Sequence, residues 1–302
     1  MRAFCPGIYP RSEQLVQATR DLDRARTTRD AVDAQIDRDR GELVRVQQQA
    51  GLDLLSDGML AWQDLLRPLL EASDGLEPGP LTRLLDTNTF YRAPVATSPT
   101  PRLREPLGER YVPPLPAPRL VTLPSPYALA RGTGVAPRAI ADGVLSPVLA
   151  ELGADVELVV LAEPFLAEDE RARLDELADA LEALAGGPPL ALQLVFADAG
   201  PLLEQGLAEL PVAGIGVDFY RTRAPDLTGA LDKLLLAGVV DVRSSVLEDP
   251  REIAAFASAL RRRVTDVALV PNGDLQFVAE AIAREKILRL GRAKAMPVEE
   301  AA

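Results

Sequence analysis

Short apolar runs rich in Val, Leu and Ile alternate along this chain with longer stretches whose apolar residues recur at helical spacing. Such alternation is typical of repeated strand–helix units and a parallel sheet. The runs that predict strands lie at 2–5, 52–55, 120–123, 156–161, 190–196, 212–217, 239–242 and 267–270. Eight units close a (β/α)8 TIM barrel, which usually needs about 250 residues. The pattern therefore predicts an α/β fold in which residues 1–302 form a single barrel domain.

An open, doubly wound sheet is the alternative reading of the same pattern. That fold usually carries a glycine-rich phosphate turn after its first strand, and none follows a predicted strand here. The barrel is therefore preferred. Its helices are predicted at 22–50, 59–72, 126–131, 135–152, 167–186, 201–210, 225–237, 249–263 and 275–290.

Residues 73–118 interrupt this rhythm with ten prolines. A connection of this length inside a compact domain is usually functional or disordered. The run Phe90-Tyr91-Arg92-Ala93-Pro94-Val95 predicts a hairpin within it. Two interpretations stay open, namely a packing arm and a lid over a substrate.

The chain has no histidine and a single cysteine, Cys5. Zinc sites and catalytic triads normally use these residue types, so most of the common catalytic arrangements are excluded. The formal net charge of −12 argues against nucleic-acid binding, which needs a concentrated basic surface. We find no signal peptide and no apolar stretch long enough to span a bilayer, and a lone cysteine allows no intrachain disulfide. We therefore expect a cytoplasmic protein without a membrane partner.

Seven segments in collinear order resemble the C-terminal catalytic barrel of cobalamin-independent methionine synthase, within the wider group that includes uroporphyrinogen decarboxylase. The opening Pro6-Gly7-Ile8-Tyr9-Pro10-Arg11 is similar to the family's Gly-Ser-Phe-Pro-Arg, and Leu161-Ala162-Glu163-Pro164 is similar to its Asp-Glu-Pro. The other matching segments lie at 44–53, 56–64, 123–126, 238–245 and 270–275. The resemblance implies a TIM barrel and methyl-transfer chemistry.

The family holds zinc through a His-x-Cys pair, a Glu and a second Cys. The resemblance places these ligands within Leu192–Phe196, at Asp218 and in the turn Asn272–Asp274. No His or Cys stands at these positions, so the resemblance implies a barrel whose zinc site is lost.

Other family residues are replaced as well. The acids that bind substrate fall on Met59 and Ala162, and the catalytic histidine falls on Arg243. The aromatic residue that stacks on folate falls among 130–132, which carry none. We therefore expect no cofactor, and a folate methyl donor, Mg²⁺ or Mn²⁺ are the alternatives.

Active sites of TIM barrels lie at the C-terminal ends of the strands. Glu163, Asp218 and Arg243 are the catalytic candidates at these ends. Structural readings stay open as well, with Arg11 and Glu163 as an ion pair and Asp57 or Asp198 as a helix cap. The substrate-binding candidates are Tyr9, Arg11, Asp57, Ser125, Asp198, Tyr220, Arg221, Asn272 and Asp274.

Two classes of function follow from this set. The first is a zinc-free methyl or one-carbon transferase, or a lyase, that acts on a small polar or anionic molecule through carboxylate and arginine chemistry. The second is a non-catalytic barrel that serves as a subunit or binds a ligand. A homo-oligomer or a partner subunit is left open by the sequence.

Overall fold

The strands predicted from the apolar runs form one curved parallel sheet. The computed structural model describes residues 1–169, 173–227 and 231–297. Seven of the described strands make up this sheet, in the order β1, β11, β10, β9, β8, β7, β6. The strands in chain order are β1 (Arg2–Ala3), β2 (Ser73–Asp74), β3 (Leu76–Arg83), β4 (Phe90–Ala96), β5 (Arg102–Leu103), β6 (Arg119–Pro124), β7 (Val156–Glu163), β8 (Leu190–Leu194), β9 (Gly214–Asp218), β10 (Leu231–Val240) and β11 (Val264–Pro271).

The eighth position of the ring is filled by a very short segment between β1 and β6. Parallel bridges pair Phe4 with Leu54 and Leu55 with Arg119. The N–H of Leu120 also donates to the carbonyl of Leu55 over 2.9 Å. The predicted strand at 52–55 is therefore reduced to two bridges. The prediction of a TIM-barrel-like α/β fold is confirmed.

The interior of the ring is filled by apolar side chains. A separate buried cluster takes its members from seven of the eight positions, namely Phe4, Leu54, Leu120, Leu158, Val160, Ala191, Leu234, Leu236, Ala268 and Val270. On the remaining strand, β9, Gly214 and Gly216 pair in register with Ala191 and Leu236 of this cluster. Because side chains alternate along a strand, Asp218 is the next inward-facing position on β9.

Helices surround the sheet. A π-helical turn, Ala141–Leu145, joins two of them, and short 3-10 turns follow several strands. No helix in the described ranges is long and apolar enough to cross a membrane. The α-helices are α1 (Glu13–Asp23), α2 (Arg29–Ala50), α3 (Arg67–Glu71), α4 (Gly108–Tyr111), α5 (Pro126–Ala130), α6 (Pro137–Ile140), α7 (Ser146–Ala150), α8 (Leu174–Glu182), α9 (Gly200–Glu204), α10 (Pro250–Leu260) and α11 (Glu280–Lys294).

The helix predicted at 225–237 is wrong, because most of that stretch belongs to β10. Leu234 and Leu236 face the barrel interior, and the alternate residue Leu235 is buried on the other side. Pairing with β9 and with β11 therefore imposes a period of two on a leucine-rich run that also fits a helix. Between β9 and β10, the described residues contain only a 3-10 turn at Ala224–Asp226.

The helix predicted at 22–50 begins later, and a separate helix precedes it. Thr28 caps α2, because its hydroxyl accepts the N–H of Ala31 over 3.3 Å. Ser12 caps α1 in the same way through the N–H of Leu15, over 3.1 Å. Helix α1 was not predicted. Its bounds could have been read from Ser12, a typical N-cap residue followed by an acid.

Two other predicted helices are shorter than expected. The stretch 59–72 contains only α3, because Met59 has a positive φ of 48° and Asp64 turns the chain just before the helix. The stretch 167–186 contains α8, and its residues 170–172 lie outside the described part of the chain.

A hairpin is present, but the run at 90–95 forms only its second strand, β4, which pairs antiparallel with β3. We call residues 76–96 the mouth hairpin. The Oδ2 atom of Asp64, which follows the second position of the ring, accepts the N–H of Arg92 over 3.0 Å. The ring of Tyr91 packs on that of Phe165, just after β7, with centroids 5.4 Å apart. The mouth hairpin therefore lies across the C-terminal ends of the strands, which we call the barrel mouth.

Candidate functional site

Polar side chains from three neighbouring strands meet at the barrel mouth. Asp218 ends β9, Asp241 follows β10 and Asn272 follows β11. The Nδ2 atom of Asn272 lies 3.2 Å from Oδ1 of Asp218 and 3.4 Å from Oδ1 of Asp241. The Oδ1 atom of Asn272 accepts the N–H of Val242 over 3.0 Å, which sets the orientation of the amide.

Asp218 has an oxygen that is left free inside this cluster. Its side chain is 1% exposed, and its Oδ1 also accepts the N–H of Tyr220 over 2.8 Å. Its Oδ2 is buried and accepts no hydrogen bond from the described residues. Burial raises the pKa of Asp218 to about 6, with a further rise from Asp241 and a partial offset from Tyr220, Asn272 and Arg221. Asp218 can therefore change its protonation state near neutral pH.

Glu163 is held by its own loop. Its Oε1 accepts the N–H groups of Phe165 and Leu166 over 2.7 and 2.8 Å, and its Oε2 accepts the hydroxyl of Ser125. The Oγ atom of Ser125 also accepts the N–H of Ala128 over 2.9 Å and so caps α5. Burial raises the pKa of Glu163, and the bond from Ser125 offsets part of this rise. Both oxygens of Glu163 are thus occupied, Oε1 by two main-chain N–H groups and Oε2 by the hydroxyl of Ser125.

Arg243 lies at the mouth between a ring and a carboxylate. Its Cζ lies 5.3 Å from the ring centroid of Phe196, and its Nη2 lies 2.7 Å from Oδ2 of Asp86. Asp86 belongs to the tip of the mouth hairpin. The main-chain N–H of Arg243 donates to Oδ1 of Asp241 over 3.0 Å, which ties the loop after β10 to the cluster around Asp218.

Three predicted residues lie towards the outside of the mouth. Asp198 is exposed and accepts the N–H of Gly200 over 2.9 Å, at the start of α9. The hydroxyl of Tyr220 donates to the carbonyl of Val239 over 3.2 Å, and Arg221 is exposed. Of these three residues, only Tyr220 contacts an inner carboxylate, and it does so through its main-chain N–H to Asp218 and not through its side chain.

Tyr9 and Arg11 line a separate cleft of about 750 Å³ beside the mouth, together with Trp62 and Gln276. The guanidinium of Arg11 donates to the carbonyls of Leu60 and Trp62 over 3.2 and 2.7 Å. Burial and the neighbouring Arg110 lower its pKa. Burial chiefly raises the pKa of Tyr9.

Asp274 and Asp57 shape the loops at the same edge. The Oδ1 atom of Asp274 accepts the N–H of Ile8, and its Oδ2 accepts Nε2 of Gln276, each over 3.0 Å. Burial raises the pKa of Asp274 to about 6. Burial also raises the pKa of Asp57, and a backbone bond from Met59 offsets part of that rise.

The structure thus brings Asp218 and Asn272 together and links Arg243 to them through Asp241. Glu163 pairs with Ser125 elsewhere on the rim, and Tyr9 and Arg11 line their own cleft. Sequence reasoning missed Asp241 and Asp86. Asp241 follows a strand, as the other candidates do, and that position was a usable signal. Asp86 has no such signal, because it lies within the proline-rich excursion.

The positions that our sequence analysis set against the family's zinc ligands carry few donors. Gln193 uses its Nε2 to donate to the carbonyl of Pro271 over 2.9 Å, and Phe196 packs on Phe277 with centroids 5.1 Å apart. Asp218 and Asp274 are the carboxylates among them, and both oxygens of Asp274 already accept hydrogen bonds, from Ile8 and Gln276. Over residues 1–169, 173–227 and 231–297, no three His, Cys, Asp or Glu side chains form a group that could hold a metal ion. This donor set does not fit tetrahedral zinc.

Comparison with known proteins finds a family model that is similar to part of this chain. A model described as the N-terminal domain of cobalamin-independent synthase matches residues 142–265, which include β7 to β10. The resemblance inferred from the sequence is confirmed. The matching model describes the N-terminal domain, whereas our sequence analysis set the chain beside the C-terminal barrel.

One curated relative is a 5-methyltetrahydropteroyltriglutamate–homocysteine methyltransferase of Synechococcus sp. (strain JA-2-3B'a(2-13)). It is 30% identical over 133 residues, which are 42% of this chain and 18% of the relative. The methionine-synthase-like chain therefore spans only a small part of that protein's length.

Two solved structures share the fold. A B12-independent methionine synthase of Shewanella sp. W3-18-1, in complex with selenomethionine, aligns with a TM-score of 0.74 and 16% identity over 89% of each chain. A Listeria monocytogenes protein assigned as a vitamin-B12-independent methionine synthase aligns with a TM-score of 0.72 and 15% identity over 97% of each chain. At these identities, the likeness concerns the fold alone.

Proposed function

We propose that this methionine-synthase-like chain is a zinc-free transferase or lyase that acts on a small polar molecule, with Asp218 as the residue that moves a proton. One observation carries the proposal: a carboxyl group that is buried at the barrel mouth, has one oxygen without a hydrogen-bond partner and has a pKa of about 6. Perturbed carboxyl groups of this kind are typical of functional sites.

The geometry assigns different tasks to the two oxygens of Asp218. Oδ1 is held by Tyr220 and Asn272, so it fixes the orientation of the carboxylate. Oδ2 is the atom that can take up or release a proton, because the described residues leave it without a partner. A general acid or base works best when its pKa lies near the operating pH, as that of Asp218 does.

The zinc-free part of the proposal rests on the donor set. Gln193 and Phe196 replace possible ligands and already pack or donate elsewhere. Elemental analysis of the purified protein tests this part, and we expect no stoichiometric zinc. Zinc that is retained through gentle chelation would contradict it. Mg²⁺ or Mn²⁺ is the alternative, and the same measurement would detect either ion.

The substrate class is carried over from the relatives. The curated relative's name gives homocysteine as methyl acceptor, and the Shewanella structure holds selenomethionine. L-homocysteine and L-selenomethionine are therefore the first probes for calorimetric titration. We expect Asp218→Asn to weaken binding or to abolish the inflection near pH 6 in any turnover that is found. Asp266→Asn is the matched control, because Asp266 pairs with Arg2 near the start of β1 and β11. Identical behaviour of the Asp218 variant and the unchanged protein would contradict the proposal.

The covered mouth favours a second candidate, a non-catalytic barrel that serves as a subunit. The mouth hairpin lies over the strand ends, and Asp218 is 1% exposed. A non-catalytic role predicts no turnover with either probe and an assembly, measured by light scattering, that does not depend on Asp218.

We also propose a cytoplasmic location, since Cys5 has no second cysteine with which to form an intrachain disulfide. Cell fractionation tests the location.

A further inference from the structure

The tip of the mouth hairpin, residues 84–89, places a carboxylate on an arginine that belongs to the barrel. Asp86 meets Arg243 at 2.7 Å, across 157 positions of sequence. Arg243 also lies over the ring of Phe196. The guanidinium is thus held between an aromatic face, which attracts a cation, and the carboxylate of the hairpin.

The two partners differ in how firmly they are fixed. The side chain of Arg243 is 27% exposed and that of Asp86 is 69% exposed. Arg243 is tied to the mouth by its main-chain bond to Asp241. Asp86 reaches the mouth only through the hairpin, so a movement of the hairpin would remove the carboxylate and leave the arginine in place.

The ring of Phe196, on which Arg243 packs, is itself held in place by its neighbours. It has a positive φ of 59°, a strained conformation for a phenylalanine that neighbours must hold in place. Its ring packs on Phe277, and a Cβ atom at Gly273 would lie 2.8 Å from the same ring. Strain of this kind is typical of ligand-binding positions.

The surroundings of Asp86 are positive. The Arg243 guanidinium chiefly holds the pKa of Asp86 below its usual range, and Arg221 contributes to this. The adjoining residues Leu84 and Thr87 of the tip are buried. The Asp86 carboxylate therefore lies near two arginines at the barrel mouth, while its neighbours Leu84 and Thr87 are packed into the fold.

We propose that Asp86 stands in for an anionic group of the ligand, so that the mouth hairpin closes the barrel until a carboxylate replaces Asp86 on Arg243. This inference rests on the proposed function in one respect, since it takes the barrel mouth as the binding site. An exposed ion pair contributes little stability, so an incoming carboxylate can exchange with Asp86 at small cost. The ligand class is a small molecule with a carboxylate group.

The test measures how often the mouth opens. A thiol introduced by Asp218→Cys reports access to the cluster through its rate of alkylation. The native Cys5 is buried, and burial raises its thiol pKa, so its background labelling is slow. We expect a second change, Asp86→Ala, to speed labelling about twofold to fivefold, in keeping with loss of an exposed ion pair. Asp74→Ala is the matched control, because Asp74 forms an exposed pair with Arg104 elsewhere in the excursion.

A second measurement uses the protein with Asp218 intact. Succinate is the carboxylate probe, titrated at constant ionic strength against sodium chloride. We expect Asp86→Ala to tighten succinate binding about twofold to fivefold, since it removes the internal competitor, and Arg243→Ala to abolish binding. Hydrogen exchange at the amides of Leu84 and Thr87 should speed up when succinate binds.

The results overturn the inference if Asp86→Ala leaves the labelling rate or the succinate affinity unchanged, or if it weakens succinate binding. A purely structural ion pair would leave the succinate affinity unchanged. These outcomes do not depend on Asp218 chemistry. Failure of the proposed function would instead appear as an Asp218→Asn variant with unchanged ligand binding and pH profile.

Discussion

The amide nitrogen of Asn272 bridges two carboxylates, since it lies 3.2 Å from Oδ1 of Asp218 and 3.4 Å from Oδ1 of Asp241. Without this donor, no side-chain N–H from Asn272 would offset the repulsion between the carboxylates of Asp218 and Asp241. The bond from Asn272 lowers the pKa of Asp218, while the charge of Asp241 raises it. The amide therefore sets how readily Asp218 ionises.

Removal of this amide should raise the pKa of Asp218 above its value of about 6. Asn272→Leu keeps a similar volume and removes the donor. The change can be followed by carbon NMR of labelled aspartate side chains during a pH titration. Gln193→Leu is the control, because Gln193 donates to Pro271 and not to Asp218. A variant in which the Asp218 titration does not move would show that Asn272 has no part in tuning it.

The buried carboxyl of Asp218 should make the stability of the protein depend on pH. Its pKa rises from 3.8 in the unfolded chain to about 6 in the fold, so the native state holds the proton longer. The unfolding free energy therefore falls as the pH rises from about 4 to about 6, by about 3 kcal/mol for this group. The asparagine of the Asp218→Asn variant cannot ionise. The unfolding free energy of this variant should therefore not show the Asp218 part of the fall with pH.

Urea unfolding at pH 5 and pH 7.5 measures this effect as a difference between the two proteins. Asp274 has a similarly raised pKa, so the unchanged protein and the variant should share its contribution. The gap between their unfolding free energies should widen in favour of Asp218→Asn at pH 7.5. Parallel curves at the two pH values would mean that Asp218 ionises normally in the fold.

Much of the barrel could be predicted from local patterns. Apolar runs and helical spacing are properties of neighbouring residues, and short parallel strands joined by helices permit few topologies. The same reasoning wrongly predicted a helix at 231–236, because the leucines of this run fit both the helical period and the strand period. Hydrogen bonding to β9 and β11 decides the matter, and those strands are distant in sequence.

The candidate site was predictable in position but not in its pairings. Asp218 and Asn272 were placed at the mouth because they follow strands. The bonds that give them roles depend on loops that meet only in the folded chain. The contact of Asp86 with Arg243 spans 157 positions, and no local pattern connects the two residues.

A buried ion pair should stabilise the loop that carries Arg243. The Nζ atom of Lys286 on α11 donates to both oxygens of Glu248, over 2.8 and 3.0 Å, and its side chain is 0% exposed. Lys286→Met would leave a poorly solvated carboxylate, so we expect a loss of about 3–5 kcal/mol of unfolding free energy. Arg284→Met removes an exposed pair with Glu42 from the same helix and should cost less than about 1 kcal/mol. Equal, small losses for both variants in urea unfolding would contradict this account.

Close packing inside the barrel should make Gly216 intolerant of a side chain. A Cβ atom there would lie 2.8 Å from Cα of Gln193, a backbone atom that cannot move away without distorting β8. We expect Gly216→Ala to lower the unfolding free energy by about 1–3 kcal/mol through overpacking. Gly41 lies within α2, and a Cβ atom there would meet nothing within 4 Å. Gly41→Ala should therefore raise the unfolding free energy by about 0.5–1 kcal/mol, because alanine loses less conformational freedom in a helix. Urea unfolding of the two variants side by side tests the packing of the ring, because we expect changes of opposite sign. A Gly216→Ala variant as stable as the unchanged protein would show that the barrel interior has room for a Cβ atom at this position.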